Sequence, residues 1–132
     1  MMRLQTSLFL ALTILCVTGC SSGSQASGTL TGHVDIGPLQ PVQRVGEPSP
    51  TPSPAMYAAW RIVVLSEDGK WEIARGEIDS SGQYQIKLPD GKYMVTAKPV
   101  NGAGLGVQQV VPVQIIKGEA TQLDISIDTG IR

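Results

Sequence analysis

The sequence has few of the residues that build disulfide, metal or nucleic-acid sites. It contains two cysteines, Cys16 and Cys20, and one histidine, His33, and aromatic residues make up only 5% of it. A disulfide framework or a zinc or iron centre needs several such side chains within the folded domain. Basic and acidic residues number 10 and 11, so the basic face that nucleic acid requires is missing. We expect no metal, no cofactor and no nucleic-acid partner.

Long apolar runs are absent as well. Residues 8–17 form a run of ten, whereas a transmembrane helix needs about 20 apolar residues. The run follows Arg3 and leads into Val17, Gly19 and Cys20, which is the pattern of a cleavable export signal. These residues resemble a bacterial lipobox, and the resemblance implies that residues 1–19 are removed and that Cys20 carries diacylglycerol through a thioether. The alternative is an ordinary secretory signal that is cleaved near Ala26.

Lipidation of Cys20 would make a membrane the first partner of the protein. Each buried methylene contributes about 0.8 kcal/mol, so two or three acyl chains anchor a protein stably. Residues 20–27, which we call the tether, carry no charge and no sizeable apolar side chain after the cysteine and predict a flexible connection. Because Ser21 and not Asp follows the cysteine, we expect the outer membrane in a diderm bacterium. In a monoderm the domain would lie on the outer face of the plasma membrane.

Residues 28–132 predict a single all-β domain. Short segments with a period of two are separated by turns rich in Gly, Asp and Pro. Asp-Gly pairs at 68–69 and 90–91 predict hairpin turns, because glycine adopts positive φ without a side-chain clash. We predict a seven-stranded antiparallel β-sandwich with strands at residues 29–36, 58–65, 71–78, 83–88, 93–98, 110–116 and 121–127.

Proline is concentrated in one segment. Six of the nine prolines lie in residues 38–54, which we call the strap. Proline fixes φ and lacks a backbone donor, so the strap predicts an extended polyproline II excursion between the first two strands. One interpretation is a rigid loop that covers an edge of the sandwich. The other is a docking or O-glycosylated segment, in which a protein or glycan partner binds the prolines that alternate with hydroxyl residues: Pro48, Pro50, Pro52 and Pro54.

The centre of the domain resembles a known superfamily. The spacing of Asp79, Gly82, Tyr84, Gly91 and Tyr93 is similar to that in transthyretin-like domains, which include carboxypeptidase regulatory-like and collagen-adhesin B-type domains. The chain also resembles small exported bacterial proteins of this fold. The resemblance implies a transthyretin-like (prealbumin-like) Greek key and a non-enzymatic exported module.

Enzymes of related folds need residues that this chain lacks. Hydroxyisourate hydrolases use several His and Arg residues and intradiol dioxygenases use two Tyr and two His, whereas His33 is the one histidine here. Asp128-Thr129-Gly130 matches the aspartic-protease tripeptide, but we expect it to be a strand exit. No catalytic residue is predicted. The sequence therefore predicts a lipid-anchored interaction module of the cell envelope. A structural or assembly subunit is the alternative, and an accessory hydrolase is the third interpretation.

Overall fold

The structure, a computed structural model, describes residues 26–42, 45–102 and 108–131. The predicted signal, Cys20 and residues 21–25 of the tether lie outside these ranges. The described residues form eight strands and one short helix: β1 Ser27–Gly37, α1 Pro54–Ala58, β2 Trp60–Ser66, β3 Glu72–Glu77, β4 Gln83–Pro89, β5 Gly91–Pro99, β6 Val111–Ile115, β7 Ala120–Gln122 and β8 Ile125–Asp128. No helix within the described ranges has the length and apolar character needed to span a membrane.

Two four-stranded sheets enclose one apolar core, which confirms the predicted all-β sandwich. One sheet has the order β4-β1-β7, with β8 also paired to β1, and the other has the order β3-β2-β5-β6. Alternation along β4 buries Tyr84, Ile86 and Leu88 and exposes the residues between them, as its period of two predicts. From β1, the core receives Leu30, Val34 and Ile36.

The prediction of seven purely antiparallel strands is wrong in two respects. The predicted strand at residues 121–127 is divided into β7 and β8, which brings the number of strands in the described ranges to eight. Both of these strands run parallel to β1: Thr29 pairs with Ala120 and Val34 pairs with Ile125. The offset is 91 residues in each pair, so the register is unchanged across the interruption.

A close backbone contact explains why the strand is interrupted. A Cβ on Gly32 would lie 1.8 Å from the carbonyl oxygen of Leu123, so that carbonyl lies over the Cα of Gly32 and leaves the regular ladder. The Tyr84 hydroxyl donates to the same carbonyl oxygen. The backbone N–H of His33 donates to Asp124 Oδ1 at 2.8 Å. A side-chain oxygen therefore accepts this N–H in place of a backbone carbonyl oxygen of the neighbouring strand. Burial of the Tyr84 phenol, and to a smaller extent the nearby charge of Asp124, raises the pKa of Tyr84 above its ordinary value.

Asp79 holds the turn between β3 and β4. Its Oδ1 accepts hydrogen bonds from the Ser81 hydroxyl at 2.7 Å, from the Ser81 N–H at 2.8 Å and from the Gln83 N–H at 2.9 Å. These bonds, with that of the Ser81 hydroxyl first, lower the pKa of Asp79 below its ordinary value. The Asp79 carboxylate therefore has a structural role in this turn.

The lowered pKa predicts how stability depends on pH. The stabilisation from Asp79 is complete above its unfolded pKa, near 3.8, and is lost as pH falls through the lower folded value. We expect the unfolding free energy of Asp79→Asn to fall less steeply than that of the wild type below about pH 4. Urea titrations between pH 6 and pH 2 would measure both slopes. Identical slopes would contradict this assignment.

Candidate docking surface: the proline-rich strap

The strap begins where β1 ends and is held there by Thr129, the residue that follows the last strand. The Thr129 N–H donates to the Gly37 carbonyl oxygen at 3.1 Å, and the Thr129 hydroxyl donates to the Pro38 carbonyl oxygen at 2.5 Å. Leu39 packs against the core. The Asp128-Thr129-Gly130 tripeptide therefore has a structural role here, since it joins the exit of β8 to the first residues of the strap.

The other end of the strap is held by α1. Tyr57 is 4% exposed and belongs to the core, and Met56 packs against it. The Ser53 carbonyl oxygen accepts the N–H groups of Met56 at 2.9 Å and Tyr57 at 3.3 Å. Pro54 is the first residue of the helix, a position that suits proline because its missing N–H would have no partner there. The predicted extended segment therefore ends at Ser53, and the inclusion of Pro54 in it is wrong.

Between these two attachments the described residues of the strap are exposed or half-buried. Residues 45–46 form a turn in which Gly46 has a φ of 92°, so the predicted extended conformation is also wrong there. Residues 48–53 have no helix, strand or turn, and Ser53 has φ −76° and ψ 157°, close to polyproline II values. Pro48 is exposed, whereas Pro50 and Pro52 are half-buried. A polyproline II helix has three residues per turn, so successive prolines two residues apart face different directions. The strap therefore presents its prolines on more than one face.

Apolar side chains that the sequence analysis did not single out accompany the prolines. Val45 is fully exposed, and Val42 is 74% exposed. A cleft of about 430 Å³ is lined by Gln40, Pro41, Val42 and Glu47. Exposed aliphatic residues beside a proline run are the signal that could have indicated this surface from the sequence.

The strap and the start of β1, where the tether joins the domain, lie at opposite ends of the sandwich. The backbone at the start of β1 is bonded to two turns, because the Asp90 N–H donates to the Ala26 carbonyl oxygen at 3.1 Å and the Gly118 N–H to that of Ser27 at 3.0 Å. We call this end the tether pole. The strap begins after Gly37, and an 11-residue strand is about 35 Å long. We call the far end the strap pole.

Of the predicted site residues, Cys20 lies outside the described residues, and its lipidation stays a prediction. The segment that contains Pro48, Pro50, Pro52 and Pro54 is attached at both of its ends at the strap pole, by Thr129 and by Tyr57. Among residues 26–42, 45–102 and 108–131, no group of three or more His, Cys, Asp or Glu side chains is placed to hold a metal ion.

A second cleft is lined by polar groups, several of which already form hydrogen bonds or ion pairs within the fold. It measures about 270 Å³ and is lined by Thr31, Glu77, Asp79, Gln83, Tyr84 and Gln85. The Asp79 carboxylate accepts the hydrogen bonds of its own turn, and the Tyr84 hydroxyl donates to Leu123. Glu77 lies 3.8 Å from Arg61. These groups maintain the turn and the sheets, which leaves the strap as the stronger candidate for a functional surface.

The attachment at Thr129 can be tested by removing one hydroxyl. Thr129→Val should lower the unfolding free energy by only about 1 kcal/mol, while a protease that cleaves beside Val42 and Val45 should cut the strap faster. Thr121→Val is the matched control, because its hydroxyl donates to the Gln114 carbonyl oxygen at 3.3 Å, away from the strap. Equal cleavage rates in the two variants would contradict the attachment.

Comparison with known proteins shows a shared fold. No protein-family model matches the chain, and no curated protein matches it significantly. Among solved structures, the minor pilin GBS52 of the Gram-positive pathogen Streptococcus agalactiae is similar with a TM-score of 0.53 and 19% identity over 79% of this chain. This chain spans 45% of that pilin.

Two further structures have lower TM-scores. The Bacillus anthracis TIE protein gives 0.49 at 14% identity over 78% of this chain and 16% of that one. A DUF3823 family protein from Parabacteroides merdae gives 0.45 at 16% identity over 76% of this chain and 45% of that one. It is the minor pilin, with its TM-score of 0.53, that shows the shared fold.

Proposed function

We propose that the protein is a lipid-anchored binding module that works outside the cytoplasm and captures a protein partner through its strap. The observation that carries the proposal is the attachment of the strap at both ends, by Thr129 and by Tyr57, at the pole opposite the tether. An anchor at one pole and an exposed proline segment at the other would present that segment away from the membrane.

The chemistry of the strap favours a partner with an aromatic groove. Extended proline segments bind such grooves at low entropic cost, because their conformation is already fixed. The exposed Val42 and Val45 add apolar surface that a protein would bury. A glycan offers hydroxyl groups in place of an apolar groove and is therefore the weaker candidate.

The anchor and the envelope location belong to the same proposal. They rest on the residues around Cys20, and the similarity in fold to a minor pilin is compatible with a protein of the bacterial surface. We also propose a transthyretin-like Greek key for the strand connections. A non-enzymatic role is proposed as well, and the similarity in fold to a pilin supports it.

A structural or assembly subunit is the second candidate function. Strand β3, which spans Glu72–Glu77, pairs with β2 alone in the described sheets, so its other edge could pair with a neighbouring chain. Sizing of the protein at several concentrations would separate this function from that of a monomeric binder.

Site-specific photocrosslinking in living cells tests the binding proposal. A photoreactive residue at Thr51 samples the strap, and one at Gln85 on β4 is the control, since both positions are exposed. We expect a discrete protein adduct from Thr51 and none from Gln85. Adducts from Gln85 alone would move the binding surface to the sheet. Membrane fractionation of Cys20→Ser, which should release the protein, tests the anchor separately.

A further inference from the structure

The two tryptophans of the chain lie at opposite poles. Trp60 begins β2 in register with Pro99, and Ser66 ends β2 in register with Tyr93. Trp71 lies beside Ser66, because the Ser66 N–H donates to the Trp71 carbonyl oxygen at 2.8 Å. The six residue steps of β2 separate the two tryptophan backbones by about 20 Å. Trp71 is therefore at the tether pole and Trp60 at the strap pole.

The tether pole exposes apolar side chains on two of its turns. Trp71, the last residue of the hairpin at residues 66–71, is 72% exposed. Ile116, in the turn after β6, is 46% exposed. Ile116 also lies next to the start of the domain, since a Cβ on Gly28 would be 2.4 Å from its carbonyl oxygen. Both groups therefore lie at the same pole as the point where the tether joins β1.

The length of the tether limits how far this pole can lie from a lipidated Cys20. Seven residue steps separate Cys20 from Ser27, and they span at most about 25 Å when fully extended. This length confines the pole to within about 25 Å of the lipid attachment at Cys20, a range in which Trp71 and Ile116 can reach the bilayer surface. Tryptophan favours that surface, because its ring is apolar and its indole N–H needs a polar partner.

The charges of the tether pole indicate which part of the bilayer it contacts. Residues 66–71, 87–92 and 116–119 carry four lysines and four carboxylates. Lys92 lies 3.9 Å from Glu67, and Asp68 accepts hydrogen bonds from Ser66 and from the Lys70 N–H within its own hairpin. With these charges balanced, attraction to anionic headgroups would be weak.

We propose that the tether pole is a membrane-contacting surface, in which Trp71 and Ile116 insert into the neutral interfacial region of a phospholipid bilayer. This inference rests on the proposed lipid anchor at Cys20. The contact would hold the domain upright, so that the strap pole points away from the membrane.

Quenching of tryptophan emission tests the contact in the full lipoprotein. The protein is reconstituted in phosphatidylcholine vesicles with and without brominated acyl chains. Trp60→Phe leaves Trp71 as the reporter, and Trp71→Phe leaves Trp60 as the matched control. We expect quenching of Trp71 to be at least about threefold stronger than that of Trp60, and unchanged by high salt because the contact is not electrostatic.

The possible results distinguish a failure of the proposed membrane contact from a failure of the proposed lipid anchor. Equal quenching of both reporters in protein that floats with the vesicles overturns the contact and leaves the anchor standing. Loss of Trp71 quenching at high salt overturns a neutral contact. If the wild-type protein does not float with the vesicles, the anchor fails and the contact with it. Should Trp60→Phe not fold, the difference between the wild type and Trp71→Phe reports the quenching of Trp71.

Discussion

Replacing Gly32 with alanine is expected to lower the free energy of unfolding by about 3 kcal/mol or more, the sum of overpacking and the loss of a partly buried hydrogen bond. The added Cβ would lie 1.8 Å from the Leu123 carbonyl oxygen, which is backbone and cannot rotate away. Moving that carbonyl would also remove the acceptor of the Tyr84 hydroxyl. In a domain of this size the melting temperature should fall by roughly 12 °C or more.

Gly37→Ala is the matched control for this prediction. Gly37 is in the same strand, and its added Cβ would meet no heavy atom within 4 Å. We expect its unfolding free energy to stay within about 0.5 kcal/mol of the wild type. Urea unfolding monitored by circular dichroism would compare the two variants. Similar urea midpoints for Gly32→Ala and Gly37→Ala would contradict the close contact between Gly32 and the Leu123 carbonyl group.

Replacing Pro48, Pro50 and Pro52 with alanine is expected to weaken partner binding roughly 10- to 100-fold with little change in the melting temperature, because none of the three is fully buried. Each proline lowers the conformational entropy of the unbound backbone, which is worth about 0.4–1 kcal/mol. Each 1.4 kcal/mol corresponds to a factor of ten in affinity. The three positions precede α1, so the attachment of Tyr57 is left intact. Deleting residues 48–54 would be a poorer test, because it removes Ser53 and Pro54 from the start of the helix.

The matched control for the proline variant is a triple alanine variant on the exposed face of the sheet, at Gln83, Gln85 and Lys87. These residues are exposed on β4, and the same number of side chains is shortened. We expect its affinity for the partner to remain within about threefold of the wild type. Equal losses in the two variants would show that the strap has no special part in binding.

The sequence alone predicted the parts of the fold that depend on local patterns. The strict alternation from Gln83 to Leu88 determines which face of β4 is buried, and glycine at the turns ends the strands. The parallel pairing of β1 with β7 and β8 was not predictable in this way, because it joins residues 91 positions apart. The break at Leu123 likewise depends on its contact with Gly32, which no local pattern reveals.

The candidate site was predictable in part. The proline run indicated an exposed, extended segment, and residues 48–53 have no helix, strand or turn. Helix α1 was missed because five residues are too few to show a helical period, although serine followed by proline is a common helix start. The attachment by Thr129 could not be predicted, since its hydroxyl bonds to a residue 91 positions earlier in the chain.

The most direct test of the central claim is the yield of the Thr51 photoadduct in cells that express the wild type or the Pro48/Pro50/Pro52 alanine variant, normalised to the membrane-bound protein. If the strap is the binding surface, the wild type gives a discrete adduct, and the variant gives a yield lower by a factor of about ten or more. Equal yields from the two proteins, or an adduct that forms from Gln85 and not from Thr51, would contradict binding through the strap.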